Sequence, residues 1–343
     1  MRHLIRAALV AATLVGGALV APSAGATSAL RVTDSVAATI TTSMPIVRLH
    51  FSAPVAARRL PSLVIHPRLA TTWLQTGRRD VEAVVTGRVI PSVRYVVDVP
   101  TTLTCAATCA VTAVRRHASV VSANYALQDQ LLAQLHYLPV RFSPASAVTD
   151  PAQPTPGAYT WAFAHLPSDL SAQWRVGTAN VVLTGAMMAF QSQHGLTVTG
   201  VPDAATWEAL DAAARANAID PATYDYVDVS ESLPETLTLY VNGRDAFHAL
   251  VNTGISVAPT ETGTYPVYLR FTSTVMTGFN PDGSYYADPV TWVSYFNGGD
   301  ALHQFYRASY GWPQSLGCVE MALPDAHHVY PYTPIGTLVT VHS

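Results

Sequence analysis

The stretch "LHQFYRASYGWPQSLGCVEM", residues 302–321, sets a cysteine, Cys318, directly behind Ser315-Leu316-Gly317, with His303 upstream of it. A thiol attacks as its thiolate. An ordinary cysteine, with a pKa of about 8.5, is mostly protonated at neutral pH, so a nucleophilic one needs a neighbouring imidazole or the positive end of a dipole. His303 is the best-placed base in the stretch. Gly317 lets the backbone approach closely, and the N–H groups around Gly317 and Cys318 are candidate donors to a tetrahedral oxyanion. Spacing alone does not pair the two residues. Two blander readings stand beside this one: Cys318 as a small buried hydrophobe, or as the partner of another cysteine.

The chain has only three cysteines. Cys105 and Cys109, in "LTCAATCAV", are near enough to form a disulfide in an oxidising compartment, which would leave Cys318 as the odd thiol. They lack a second ligand pair at any usual spacing, so no zinc site is expected, nor any other metal. No cofactor is expected.

Working outward from Cys318, the flanking segments read as strands. In "TLTLYVNGRDAFHALVNTG", Leu237, Leu239 and Val241 alternate inward, Asn242-Gly243 is a hairpin turn, and Phe247, Ala249 and Val251 alternate on the return. "GTYPVYLRF", "VTWVSYF" and "GTLVTVHS" continue the pattern, so residues 235–343 read as a mostly β domain. Residues 219–234 read as a linker. Upstream the period changes to that of helices. "ALQDQLLAQLHYLP" spaces Leu127, Leu131, Leu132 and Leu135 on one face, and "TGAMMAFQSQHGL" starts from Thr184 as N-cap and stops at Gly195. "VPDAATWEALDAA" is capped by Asp203. Pro139 to Pro156 is a loop by composition. These elements make residues 121–218 a small three-helix domain. Residues 27–120 alternate with period two between turn clusters, a β-sandwich in which His50 and His66 are surface positions.

All nineteen basic residues are Arg, so no lysine serves as nucleophile, Schiff base or phosphate clamp. The net charge is −3, and no Arg run is dense enough for a nucleic-acid footprint. At 343 residues, 49% apolar and 12% charged, the chain has material for two or three domains of about 100–200 residues each. Residues 1–26 combine Arg2 and Arg6 with an apolar run and Ala24-Gly25-Ala26, which predicts a signal peptide cleaved after Ala26. The rival reading of that segment is an uncleaved anchor. Nothing after it has the length to span a membrane as a helix, so export and a location in the cell wall or outside the cell are expected.

Three resemblances follow from these motifs. The order "LQDQLLAQLHYLP" then "AMMAFQSQHGLTVTGVPDAATWEAL" resembles the peptidoglycan-binding domain family, with a long insertion at about Val140 to Val182 as the departure. The strand pattern of 27–120 is loosely similar to bacterial immunoglobulin-like modules. "DALHQF" followed by "SLGCVEM" resembles the catalytic segment of the L,D-transpeptidases (YkuD-type domain), and "TGISVAPTETGTYPV" resembles that family's upstream segment. The last resemblance implies a cysteine acyltransferase in which Cys318 is the nucleophile and His303 the base. It further implies that Ser315 and Gly317 shape the oxyanion pocket and that the Gln304 carbonyl orients the imidazole. Glu320, Arg307, Tyr286 and Trp312 are the expected substrate contacts. Two residues depart from the family pattern: Leu316 stands where many members have His, and Glu320 where Arg or Asn is usual, an acid expected to raise the thiol pKa. The implied partners are the stem peptides and glycan of peptidoglycan, with carbapenems as inhibitors. The implied reaction builds 3→3 cross-links with release of D-alanine; hydrolysis of the same thioester, or binding without catalysis, are the alternatives.

Overall fold

The computed structural model describes residues 29–343 apart from 38–39, 41–44, 88, 91–93, 121–123 and 152. The expected signal segment, 1–26, lies outside the described residues. The chain divides into two compact units, one holding most of the N-terminal strands and one made of Val120–Ser343 together with Val89–Tyr95.

The N-terminal unit contains β1 (Ala29–Val36), β2 (Val47–Phe51), β3 (Val64–His66), β4 (Thr71–Gln75), β5 (Asp80–Val85), β6 (Arg94–Cys105) and β7 (Cys109–Val120). The first residues of β1 pair with β6 and the rest pair with β2, so one strand joins the group β3-β6-β7 to the group β2-β5-β4, as in a sandwich. The alternation seen in the sequence places Val47, Leu49 and Phe51 in the core and turns Arg48 and His50 outward. His66 is exposed as well. Cys105 and Cys109 close the β6–β7 turn as a disulfide, and Cys318 is the free cysteine.

The second unit opens with α1 (Tyr125–Gln134), whose first turn is capped by Asn124 Oδ1 accepting the Leu127 N–H. The Pro139–Pro156 segment, expected to be a loop throughout, contains β8 (Val140–Pro144), which pairs with β9 (Gly157–Trp161). Their exposed polar positions conceal the strand pattern. After α2 (Ser168–Ala172) comes α3 (Val181–Gln193). Its cap is Asn180, not Thr184: the Asn180 side chain accepts from Leu183 N at 2.9 Å, while the Thr184 hydroxyl sits inside the first turn and donates back to the Asn180 carbonyl. Asp203 caps α4 (Ala204–Ala216) as expected, and Met187, Phe190, Trp207 and Leu210 are fully buried.

The expected linker contains a strand. Residues 225–230 form β10 (Asp225–Ser230), the middle strand of a five-stranded sheet of order β12-β11-β10-β18-β13, built with β11 (Thr236–Val241), β12 (Arg244–Leu250), β13 (Gly263–Pro266) and β18 (Leu338–His342). Tyr226 and Val227 are consecutive and both buried. An inner strand covered on both faces gives no alternation to read. The Asn242-Gly243 turn between β11 and β12 has φ of 51° and 72°, the left-handed pair that a two-residue hairpin requires. The second sheet has the order β14-β15-β16-β17, with β14 (Leu269–Phe279), β15 (Tyr285–Asn297), β16 (Asp300–Gln304) and β17 (Val319–Met321), and is followed by α5 (Leu323–Val329). Val227, Leu239, Leu302, Val319, Ala326 and Val339 meet in one core between the sheets and α5.

The helices do not hang free of these sheets. A Cβ placed on Gly185 of α3 would lie 2.6 Å from the Gly336 carbonyl, and one on Gly336 would lie 2.3 Å from the Gly185 carbonyl. Backbone therefore meets backbone at the turn before β18.

Candidate active site

Strands β16 and β17 run parallel with Leu302 opposite Val319 and His303 opposite Glu320. That register places Cys318, one residue before β17, beside the turn that feeds β16. Cys318 and His303 line one cavity of about 330 Å³ with Tyr286, Arg307, Ser315 and Glu320. Trp312 is not among its lining residues and is exposed.

His303 is 3% exposed. Its Nδ1 lies 2.9 Å from the Gln304 carbonyl oxygen. A carbonyl only accepts, so Nδ1 carries the proton and Nε2 is left with the lone pair. Burial, the largest influence, holds the imidazole pKa below its usual value, which keeps the ring neutral at pH 7.

The Cys318 thiol donates to the Gly299 carbonyl at 3.6 Å. Burial pushes its pKa up to about 12; the Ala301 N–H opposes this, and the Asp300 and Glu320 carboxylates add to it. The resting pair is thus a neutral thiol and a neutral imidazole. Gly317 has φ of 112°, and a Cβ there would lie 2.6 Å from Asp300 Oδ1. Only glycine fits. The Ser315 hydroxyl donates to the Cys318 carbonyl at 2.5 Å and accepts from Gly317 N at 3.2 Å. The Gly317 N–H, read from sequence as an oxyanion donor, is occupied by this bond.

Glu320 is matched by a cation. Arg307 Nε and one terminal nitrogen lie 2.8 Å from its two oxygens, the same nitrogen donates to the Gln314 carbonyl at 3.1 Å, and the guanidinium lies over the Phe305 ring. The acid that departs from the family pattern is one half of a planar, two-point ion pair. Tyr286 reaches the cavity from β15 together with Asp288 and Val290, alternate residues on one strand face. Asp288, which the sequence reading did not name, lies two residues from Tyr286, and the period of a strand would have placed the two on one face.

Among the described residues, one group away from this cavity offers metal-ligand atoms: Asp169, Asp228 and His342, whose atoms lie within 4.8 Å of one another. Burial is the largest single influence on His342 and lowers its pKa, but the bond to Asp228 at 3.1 Å, the Asp228 and Asp169 charges and the Ser343 carbonyl together outweigh it and the pKa is raised. The contact of His342 with Asp228, beside Asp169, accounts for that group.

Comparison with known proteins agrees with this architecture. Residues 224–341 match the family of the L,D-transpeptidase catalytic domain, YkuD, and residues 176–210 match the putative peptidoglycan binding domain. The chain therefore carries a YkuD-type domain preceded by a peptidoglycan-binding-type segment. Among solved structures, the chain is similar to an L,D-transpeptidase from Mycobacterium smegmatis, at 12% identity over 92% of this chain and 99% of that one, with a TM-score of 0.33. A catalytic domain from an E. faecium L,D-transpeptidase is 22% identical over 34% of this chain and 95% of that one, with a TM-score of 0.32. L,D-transpeptidase 3 from Mycobacterium tuberculosis, solved with a faropenem-derived adduct, is 13% identical over 89% and 94%, with a TM-score of 0.32. No curated protein sequence matches.

Proposed function

We propose that this protein is an exported cysteine L,D-transpeptidase of the cell wall. The observation that carries the reading is the shared cavity of Cys318 and the lone-pair nitrogen of His303 inside the YkuD-matched segment. Cys318 attacks the carbonyl of the third residue in a tetrapeptide stem as His303 Nε2 takes the thiol proton. The C–N bond to the terminal D-alanine breaks, and that proton leaves on the amine. The thioester then passes to an amine of a second stem, giving a 3→3 cross-link, or to water. Ser315 and Gly317 fix the loop that presents Cys318, Gln304 fixes the imidazole tautomer, and Arg307 with Glu320 forms one wall of the substrate cavity. The peptidoglycan-binding-type segment holds the wall polymer near the site, and carbapenems acylate the same thiol. Residues 1–26 direct export and are then removed.

The thiol bonded to Gly299 and its raised pKa favour a second reading, a wall-binding protein without catalysis. Mass spectrometry of the mature protein and of Cys318→Ala with a disaccharide-tetrapeptide separates the two. A dimer and D-alanine loss that vanish in the variant support transpeptidation, whereas D-alanine loss without dimer means hydrolysis. No change with folded protein, and no adduct with imipenem, refutes the enzyme.

A further inference from the structure

We infer that Glu235 is a positioning residue for the loop that carries Cys318, a role that rests on the reading of Cys318 as nucleophile. Glu235 stands just before β11 and is 0% exposed. A buried carboxylate costs several kcal/mol unless its lone pairs are met. Both oxygens are met by one residue: Oε2 accepts the Thr253 N–H at 2.6 Å and Oε1 accepts the Thr253 hydroxyl at 2.7 Å.

Thr253 in turn holds the loop. Its carbonyl accepts the N–H groups of Gln314 at 2.9 Å and Ser315 at 3.0 Å. The next contacts lie on either side of it: Ile255 N donates to the Ser315 carbonyl at 2.9 Å, and Asn252 exchanges two backbone bonds with Glu320. The Glu235 backbone holds the other end, because its N–H donates to the Gly311 carbonyl at 2.8 Å. Ser315 then holds the Cys318 carbonyl through its hydroxyl.

Segment 252–255 belongs to no named strand and makes two isolated bridges, Asn252 to Glu320 of β17 and Gly254 to Ser315 of the loop before it. Such a segment has little ladder to keep its peptides oriented. The Glu235 carboxylate supplies the missing constraint: by holding both the N–H and the hydroxyl of Thr253 it fixes the Cα from which the Thr253 carbonyl reaches Gln314 and Ser315. Packing alone does not explain an acid here, since an apolar side chain would fill the same space without the cost of burying a charge. Glu235 touches no reacting atom, and its side chain acts only through Thr253 and Ser315.

The test uses the mature full chain as wild type, Glu235→Gln, Thr253→Val and Thr253→Ser. Imipenem acylation followed by intact mass gives the limiting rate separately from the half-saturating concentration. Hydrogen exchange compares peptides over residues 312–320 with β18. A carboxylate-to-amide change places an N–H₂ or a weaker acceptor against the Thr253 donors, and displacement of a reacting group by about 1 Å costs up to about a hundredfold in rate. The expected result for Glu235→Gln and Thr253→Val is a limiting rate lower by about tenfold or more, an unchanged half-saturating concentration, and faster exchange confined to 312–320. Thr253→Ser, which keeps both donors, stays near wild type. Wild-type kinetics and exchange in Glu235→Gln overturn the inference, and so does an increase in exchange spread equally to β18. If Glu235→Gln does not fold, equal limiting rates for Thr253→Val and Thr253→Ser overturn it. If wild type itself forms no adduct, the proposed function fails, and confined exchange in 312–320 still decides whether Glu235 positions the loop.

Discussion

Removing Arg307 tests whether the acid beside the candidate nucleophile is tolerated because it is paired. The Glu320 side chain is 6% exposed and Arg307 30% exposed, with the guanidinium fork 2.8 Å from the carboxylate. Truncating one partner of a buried pair costs about 3–5 kcal/mol, because the other charge is stranded. Water reaches Arg307 here, so we take about 2–3 kcal/mol for Arg307→Ala. At about 2–4 °C per kcal/mol for a unit of this size, the melting temperature falls by about 4–12 °C. Arg307→Ala/Glu320→Met removes the stranded charge while keeping the volume of the buried side chain, and should recover about 1–2 kcal/mol of that loss. Glu320→Met alone leaves Arg307 free to turn toward solvent and costs less than Arg307→Ala. Thermal unfolding of the four proteins by circular dichroism closes the cycle. Additivity within about 0.5 kcal/mol would refute the argument, since a coupled pair cannot give independent effects.

Two further predictions concern the thiol and the junction between helices and sheet. With a thiol pKa of about 12, iodoacetamide labelling of Cys318 should rise about tenfold per pH unit from pH 7 to beyond pH 10; a plateau below pH 9 would mean a thiolate already exists in the resting protein. Gly185→Ala puts a methyl 2.6 Å from the Gly336 carbonyl, and since neither backbone can yield cheaply it should destabilise the protein by about 1–3 kcal/mol in urea unfolding. An unchanged midpoint would show that α3 is not held against the sheet there.

Much of this fold was legible because its signals are local. Leu237, Leu239 and Val241 alternate, Asn242-Gly243 turns, and Asp203 caps, each for a reason contained within a few residues. Three elements were illegible for physical reasons. β10 has consecutive buried residues because neighbours lie on both its faces, and β8 carries exposed polar positions. Thr184 looks like a cap because it is a threonine near a helix start, yet Asn180 reaches the Leu183 N–H and Thr184 does not. At the site, Ser315-Leu316-Gly317-Cys318 drew attention to the thiol, and the resemblance of "DALHQF" and "SLGCVEM" to the L,D-transpeptidase catalytic segment, not spacing, paired it with His303. Of the two aromatics expected at the substrate, Tyr286 lines the cavity, but Trp312, in the same loop as the motif, is exposed and outside it. Glu320 was legible only as an unpaired acid, because its partner Arg307 reaches it through a folded loop. Glu235 had no signal at all. A glutamate before a strand looks like a surface residue until tertiary structure buries it.

The charges around Cys318 bear on when its proton leaves. Asp300 and Glu320 both disfavour the thiolate, and Arg307 already spends two donors on Glu320. His303 is neutral, with Nε2 free to accept. In the proposed reaction a preformed thiolate–imidazolium pair would therefore stand against two nearby carboxylates and the loss of hydration, at a cost that grows with burial. Transfer of the proton to Nε2 as the C–S bond forms avoids that state, since negative charge passes from sulfur to the carbonyl oxygen as it develops. The pH dependence of acylation should then follow the imidazole, while simple alkylation follows the thiol. One residue would titrate differently toward two reagents because only one of them engages His303.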